Sequence, residues 1–251
     1  MTDPKETARR FVADVTGVWG DRLRSVVLHG SVARGDAIPG VSDINLLLLV
    51  DTIRMEDLAA AGPLARRWVE LGNSPPMVLD AADWAHASDA FAMEVSDMLD
   101  HRDVLLGDDP LAGVSVSPDA LRLQLETELR GAVVRLHEEL MLSASEPDEV
   151  GALLLRALPS FQTYMRATLR VAGRPVPEEG DEVVREAART VGGDPSAFLE
   201  ARRSRRSGSA PDRSLSHPEV EGYYRLMERT VRYVDGLDRH RKTTLGEESE
   251  K

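Results

Sequence analysis

The chain of 251 residues contains no cysteine. This absence excludes disulfides, thiolate zinc sites and cysteine nucleophiles, so any metal ion must be bound by oxygen or imidazole ligands. Long apolar runs are also missing: the longest candidate, residues 46–50, has five residues, whereas a membrane span needs about 18. The first residues lack the basic segment and apolar segment of a secretory signal. We therefore expect a soluble, cytoplasmic protein with no membrane partner.

Positive charge is scarce relative to negative charge. Lysine and arginine number 31 against 43 aspartates and glutamates, which gives a formal net charge of −12. A surface this negative repels phosphate backbones, so we do not expect a nucleic-acid partner. Apolar residues make up 42% of the chain, which is enough for a packed core. At about 150 residues per domain, the length fits two modest domains.

The first half of the chain mixes predicted helices and strands. Apolar residues at helical spacing predict helices over 4–19 and 55–71, the first with Asp3 as its N-cap. Residues 31–42 are rich in glycine and small side chains and predict a loop with one helical turn. Strands are predicted at residues 25–29, 44–50, 75–80 and 91–96. The first two of these runs are typical of strands that are covered on both faces.

The second half of the chain carries long helical stripes instead. Helices are predicted at residues 118–142, 150–171 and 218–238, and a polar loop at residues 202–217. Long helices without intervening strands indicate a separate bundle. The predicted fold class is therefore α+β: a mixed sheet with helices over residues 1–112, followed by an all-α helical bundle domain over residues 113–251.

The residues that indicate a chemistry lie at the ends of two predicted strands. One strand ends in Gly30-Ser31, and after eleven intervening residues Asp43-Ile44-Asn45 opens the next. Because glycine has no side chain, a phosphate can approach the Gly30 backbone, and the amide and hydroxyl of Ser31 can donate to it. Asp43 and Asn45 are two residues apart on a strand, so they face one side together and can share a hard cation. This combination predicts nucleotide chemistry.

This pattern resembles the signature of the polymerase-beta-like nucleotidyltransferase superfamily, which includes aminoglycoside and minimal bacterial nucleotidyltransferases. In that signature, Gly-Ser is followed about a dozen residues later by Asp-x-Asp at the head of an apolar strand. Arg34 and its neighbours also match the usual loop of the family. Residues 93–97 are similar to the region that brings the third carboxylate, which would be Glu94, with Asp97 as the alternative. The resemblance covers roughly residues 20–112.

The resemblance implies a nucleotidyltransferase-type sheet domain and a reaction. A nucleoside monophosphate would pass from an NTP, with ATP favoured, to a hydroxyl of a small molecule or protein, and pyrophosphate would be released. The net charge favours a cationic acceptor, such as an aminoglycoside. The implied residues are Gly30, Ser31, Arg34 and Asn45 for the nucleotide, Asp43, Asn45 and Glu94 for Mg²⁺ or Mn²⁺, and Asp43 and Glu94 for catalysis.

Asn45 departs from the family pattern, because it stands where the second carboxylate is usual. A neutral amide compensates the charge of a cation less than a carboxylate does, so we expect weaker metal binding. Two hypotheses follow. The chain is either an active transferase or a catalytically degenerate module of the same fold that binds a nucleotide or a partner. A third hypothesis is an antitoxin-like protein whose bundle binds a partner.

Overall fold

A computed structural model of the protein describes residues 3–84 and 86–248. It confirms the predicted α+β fold class, with a four-stranded mixed sheet and helices followed by a helical region. The chain divides after Ser117 into two compact units. In the part of the chain that the structure describes, no helix is long and apolar enough to cross a membrane.

The sheet brings the ends of its first two strands together. Its strands are β1 (Leu23–His29), β2 (Asn45–Val50), β3 (Met77–Asp80) and β4 (Asp103–Gly107). They lie in the order β3-β2-β1-β4; β1 is antiparallel to both β2 and β4, and β2 is parallel to β3. His29 pairs with Asn45. The last residue of β1 and the first residue of β2 are therefore neighbours at one edge of the sheet.

Helices cover both faces of this sheet. They are α1 (Pro4–Trp19), α2 (Ser31–Arg34), α3 (Met55–Glu70), α4 (Ala81–Trp84), α5 (Ala87–Ala90) and α6 (Ala92–Asp100). The core formed with α1 and α3, where Phe11 packs on Trp68, includes Val26 and Leu28 of β1 and Leu46, Leu48 and Val50 of β2. Val27, Leu47 and Leu49 point the other way, into a core with α6. This two-sided burial explains the unbroken apolar runs at residues 26–28 of β1 and 46–50 of β2.

The predicted strand over residues 91–96 is wrong, because Phe91 is the N-cap of α6 and residues 92–96 lie in that helix. The run mixes polar and apolar residues, and such a short run does not distinguish the period of a strand from that of a helix. In the structure, Val95 and Met98 lie one helical turn apart and pack against the sheet. The fourth strand of the sheet, which pairs with β1 on the side opposite β2, is β4 instead. The sequence pattern does not indicate this strand.

The second unit contains five helices among the residues that the structure describes. They are α7 (Pro118–Leu142), α8 (Pro147–Val171), α9 (Gly180–Val191), α10 (Ser196–Ser207) and α11 (Pro218–Glu248). The predicted helices at the positions of α7, α8 and α11 are confirmed. The predicted polar loop over residues 202–217 is wrong at its start, because α10 continues to Ser207. Arg202 is buried there and its Nε donates to the carboxylate of Asp181, so a run that looks solvated holds two helices together.

Candidate functional site

Gly30 occupies the sharp turn between β1 and α2. Its backbone has φ +75° and ψ −154°, a conformation that is essentially restricted to glycine. A Cβ atom at this position would lie 3.0 Å from Nδ2 of Asn45. Ser31 follows as the first residue of α2 and is half-buried. The structure thus places the predicted phosphate-binding turn directly against Asn45.

Asp43 lies just before β2 and is held by neutral donors. The hydroxyl of Ser74 donates to Oδ2 of Asp43, and Nδ2 of Asn45 lies 3.5 Å from Oδ1. Among the described residues, no arginine, lysine or histidine forms an ion pair with Asp43. The carboxylate is therefore fixed in place without an opposite charge to neutralise it, which leaves its charge available to a ligand.

His29 is a neighbour that the predicted site does not include. It is the cross-strand partner of Asn45 and is half-buried on the same face of the sheet. Burial lowers the pKa of His29 to about 4, with Asp97 and Asp43 opposing the shift and Arg34 assisting it. The imidazole is consequently neutral at neutral pH and can serve as a hydrogen-bond donor or acceptor beside Asn45.

Arg34 does not stand free for a phosphate. Its Nη1 donates to Oδ2 of Asp97 at 2.7 Å, and its Nε lies 3.4 Å from Oδ1 of Asp36. The side chains of Arg34 and Asp97 are only 12% and 11% exposed. The pair ties the short helix α2 to α6. Much of the guanidinium charge is balanced by these two acids before any ligand arrives.

Glu94 and Asp97 are the two candidates for a third carboxylate. Glu94 lies half-buried in the first turn of α6, and Asp97 lies about one turn further along. Within the described ranges, no group of three or more histidine, aspartate or glutamate side chains could hold a metal ion. Asp43, Glu94 and Asp97 therefore do not form a three-carboxylate cluster in this structure.

The donors that remain are the carboxylate of Asp43 and the amide oxygen of Asn45. Mg²⁺ is commonly bound by one or two carboxylates together with the phosphates of a substrate, and it keeps several water ligands. The side chains at this strand end fit one such ion that arrives with a nucleotide. They do not fit a pair of ions held by the protein alone, because one amide cannot replace a bridging carboxylate.

Ser74 and Asn73 are residues that the sequence analysis missed. They belong to the turn between α3 and β3, and Oδ1 of Asn73 accepts from the backbone amide of Ile44 at 3.0 Å. A signal for them exists in the sheet, because β2 and β3 are parallel and in register, with Leu47 opposite Met77. The residues before β3 are then level with the residues before β2. That signal needs the strand pairing, which the sequence alone does not provide.

Comparison with known proteins is informative for the fold. No family model and no curated protein matches the chain by sequence. The structure is similar to that of spectinomycin adenyltransferase AAD(9) from Enterococcus faecialis with ATP and spectinomycin. That match has a TM-score of 0.58 at 8% identity and covers 91% of this chain and 99% of the other.

A second match is a toxin-antitoxin structure with AMP-PNP. It has a TM-score of 0.28 at 20% identity over 40% of this chain and 74% of the other, which is too weak to indicate a shared fold. The first match shows that this chain has the fold seen in an adenyltransferase. The predicted nucleotidyltransferase-type fold is thereby confirmed, whereas the predicted roles of individual residues stay predictions.

Proposed function

We propose that this chain is a nucleotidyltransferase. In this proposal it transfers a nucleoside monophosphate from an NTP, with ATP favoured, to a hydroxyl of a small molecule or protein and releases pyrophosphate. The observation that carries the proposal is the pairing of β1 with β2, which sets Gly30 against Asn45, and Nδ2 of Asn45 in turn lies 3.5 Å from Oδ1 of Asp43. The fold that holds these residues is that of an adenyltransferase solved with ATP. The nucleotide site belongs to residues 1–112, and residues 113–251 form the helical domain.

Each residue at the strand end has a distinct part in this proposal. Gly30 leaves room for a phosphate, and the amide and hydroxyl of Ser31 donate to it. Asp43 and the amide oxygen of Asn45 hold one Mg²⁺ or Mn²⁺ that the nucleotide brings, and this ion would balance the charge of the phosphates. Glu94 accepts the proton of the attacking hydroxyl.

In this proposal Arg34 supports the nucleotide site indirectly, whereas the sequence predicts that it binds the nucleotide itself. Asp97 and Asp36 hold its guanidinium, so Arg34 orients the turn that follows Gly30 and contributes little free positive charge. The acceptor is proposed to be cationic. The net charge of −12 supports this, as does the spectinomycin in the similar structure.

A second candidate function is nucleotide binding without turnover. It is favoured by Asn45, which lowers the charge of the metal site, and by the lack of a three-carboxylate cluster among the described residues. The two candidates share their nucleotide site and differ in whether pyrophosphate is released. An experiment that measures binding and release separately therefore distinguishes them.

The test combines two measurements on the full chain. Pyrophosphate release is followed with the four NTPs, Mg²⁺ or Mn²⁺, and a panel of aminoglycoside and other hydroxyl acceptors. Binding of a non-hydrolysable ATP analogue is followed by calorimetry with and without the metal. Asp43→Asn is expected to abolish release and to weaken metal-dependent binding at least about tenfold, because it removes the only full charge proposed to hold the ion.

The matched control is Asp14→Asn. Asp14 is an exposed residue of α1, so this variant loses the same charge from the same unit and is expected to behave like the wild type. Release with any acceptor supports the transferase. Binding without release supports the second candidate, and a wild-type chain that binds no nucleotide contradicts both.

A further inference from the structure

The turn between α3 and β3 engages the predicted motif at two consecutive residues. Oδ1 of Asn73 accepts from the backbone amide of Ile44 at 3.0 Å, and the hydroxyl of Ser74 donates to Oδ2 of Asp43. The first bond fixes the backbone at the start of β2. The second bond fixes the orientation of a side chain. Only the second bears directly on a group that is proposed to touch the ligand.

The turn is itself anchored in the core of its unit. Nε1 of Trp68, which is 2% exposed, donates to the backbone oxygen of Ser74 at 2.9 Å. Nδ2 of Asn73 donates to the backbone oxygen of Trp68 at 3.3 Å. Because the backbone of Ser74 is tied to a buried tryptophan, its hydroxyl presents a fixed donor to Asp43.

The chemistry of this donor suits a ligand-binding carboxylate. A hydroxyl occupies one oxygen of Asp43 with a hydrogen bond and leaves the negative charge of the group intact. An arginine in the same place would fix the carboxylate equally well but would also cancel its charge. In metal sites, hydrogen bonds to a ligating carboxylate orient it, and losing such a bond costs 10- to 100-fold in metal affinity.

We propose that Ser74 is a positioning residue of the nucleotide site. Its hydroxyl holds Oδ2 of Asp43, so that Oδ1 stays on the side of Asn45, where the phosphates and their metal ion are proposed to bind. This inference rests on the proposed nucleotide site, and it adds a residue that lies outside the Gly-Ser and Asp-x-Asn motifs. Without the hydroxyl, the carboxylate of Asp43 rotates about its last torsion, and the site loses its preset geometry.

The test compares two substitutions of the same shape, Ser74→Thr and Ser74→Val. Threonine keeps the hydroxyl and valine lacks it, so packing changes are matched. The measurement is the binding of Mn²⁺ in the presence of a non-hydrolysable ATP analogue, followed by electron paramagnetic resonance. Ser74→Val is expected to weaken Mn²⁺ binding at least about tenfold, because it removes the hydrogen bond to Asp43. Ser74→Thr keeps this hydrogen bond, so its Mn²⁺ affinity should stay within about twofold of the wild type.

Further variants separate positioning from folding. Ser74→Ala is expected to match Ser74→Val. Ser25→Ala removes a buried hydroxyl of β1 that has no hydrogen-bond partner among the residues that the structure describes, and it should leave Mn²⁺ binding unchanged. Binding of the analogue in the presence of EDTA should be similar in all four variants, which a general loss of folded protein would not produce.

The outcomes distinguish this inference from the function on which it rests. If the wild type binds the metal-nucleotide complex and Ser74→Val binds it equally well, the positioning role is overturned and the proposed nucleotide site stands. If Ser74→Thr loses as much affinity as Ser74→Val, the hydroxyl is not the cause and the role is likewise overturned. If the wild type binds neither nucleotide nor Mn²⁺, the proposed function fails and this inference fails with it.

Discussion

The two ends of the β1–β2 ladder hold their acidic residues in different ways. At the far end, Arg24 and Arg22 each make paired hydrogen bonds to a carboxylate, with Nη2 distances of 2.7 Å to Asp51 and to Asp57. At the site end, the donors to Asp43 among the described residues are only a hydroxyl and an amide. An acid paired with a guanidinium serves the fold, because its charge is already compensated. The charge of Asp43 is left for a ligand.

The same contrast appears in the pKa values. Hydrogen bonds from Arg24 and Arg22 lower the pKa of Asp51 and of Asp57 below the ordinary value of an aspartate. At the site end, burial lowers the pKa of His29 to about 4. One end of the ladder is thus built to keep ion pairs, and the other keeps a neutral imidazole close to a carboxylate.

The largest expected effect comes from filling the space at Gly30. Gly30→Val adds a Cβ that meets Asn45 and forces valine into a backbone region reserved for glycine. We expect at least about a thousandfold loss of affinity for an ATP analogue, which corresponds to about 4 kcal/mol. Calorimetry measures the affinity, and thermal unfolding checks that the variant is folded.

Gly35→Val is the matched control for this prediction. Gly35 also has a positive φ, of +82°, but nothing lies within 4 Å of a Cβ placed there. Backbone strain is therefore present in both variants, whereas contact with Asn45 occurs only at Gly30. Equal losses of affinity in the two variants would show that backbone strain alone is responsible. The space beside Asn45 would then have no particular role in nucleotide binding.

The next largest effect is on the free energy of unfolding in acid. The two ends of the ladder are expected to lose their contributions to it at different pH values. Unfolded His29 has a pKa near 6.5 and folded His29 near 4, so the unfolded chain takes up the proton first as the pH falls. The free energy of unfolding should therefore decrease between pH 6.5 and 4, by up to about 3 kcal/mol. Asp51 and Asp57 have lowered pKa values, so their contribution persists above about pH 4 and is lost only below it.

Urea unfolding at a series of pH values checks this order of events. His29→Asn should remove most of the loss between pH 6.5 and 4 and leave the loss at lower pH in place. Asp57→Asn should leave the loss of stability between pH 6.5 and 4 in place and remove part of the loss below pH 4. If His29→Asn loses as much stability as the wild type between pH 6.5 and 4, the description of His29 as a neutral group in the folded protein is wrong.

The sequence predicts those parts of the fold that depend on local patterns. The apolar runs of β1 and β2 and the helical spacing in α1 and α3 are each read within one segment, and all four elements are confirmed. In contrast, the start of α6 is mistaken for a strand because residues 91–96 are too short a run to distinguish the period of a strand from that of a helix. The start of the polar loop at 202–217 is mistaken because the burial of Arg202 depends on Asp181, 21 residues away.

The candidate site shows the same division. Gly30, Ser31, Asp43 and Asn45 are predicted as site residues from their spacing, and the antiparallel pairing of β1 with β2 brings the end of one strand to the start of the other. The contacts that hold them come from distant segments: Ser74 lies 31 residues from Asp43, and Asp97 lies 63 residues from Arg34. No local pattern encodes such pairs, because they arise from strand order and helix packing.

The smallest expected effect is a gain, and it reverses the contrast between the two ends by adding charge at the site. Asn45→Asp places a second carboxylate beside Asp43, whose Oδ1 now lies 3.5 Å from Nδ2 of Asn45. With Mn²⁺ present, we expect affinity for an ATP analogue to rise about tenfold, or ~1.4 kcal/mol, because a charged ligand replaces a neutral one. Without metal, the two like charges repel, so the melting temperature should fall.

Asn45→Asp is expected to raise affinity when the metal is present and to lower the melting temperature when it is absent. This pair of opposite effects is specific to a metal site. The swapped variant, Asp43→Asn with Asn45→Asp, keeps the wild-type charge but moves it by two residues. It should lose affinity if the carboxylate must stand where Ser74 can hold it, and it should equal the wild type if only the total charge matters. If Asn45→Asp does not change metal-dependent binding and Asp43→Asn does not change it either, the head of β2 does not bind a metal. The charge left uncompensated at this end of the ladder would then have no ligand to explain it.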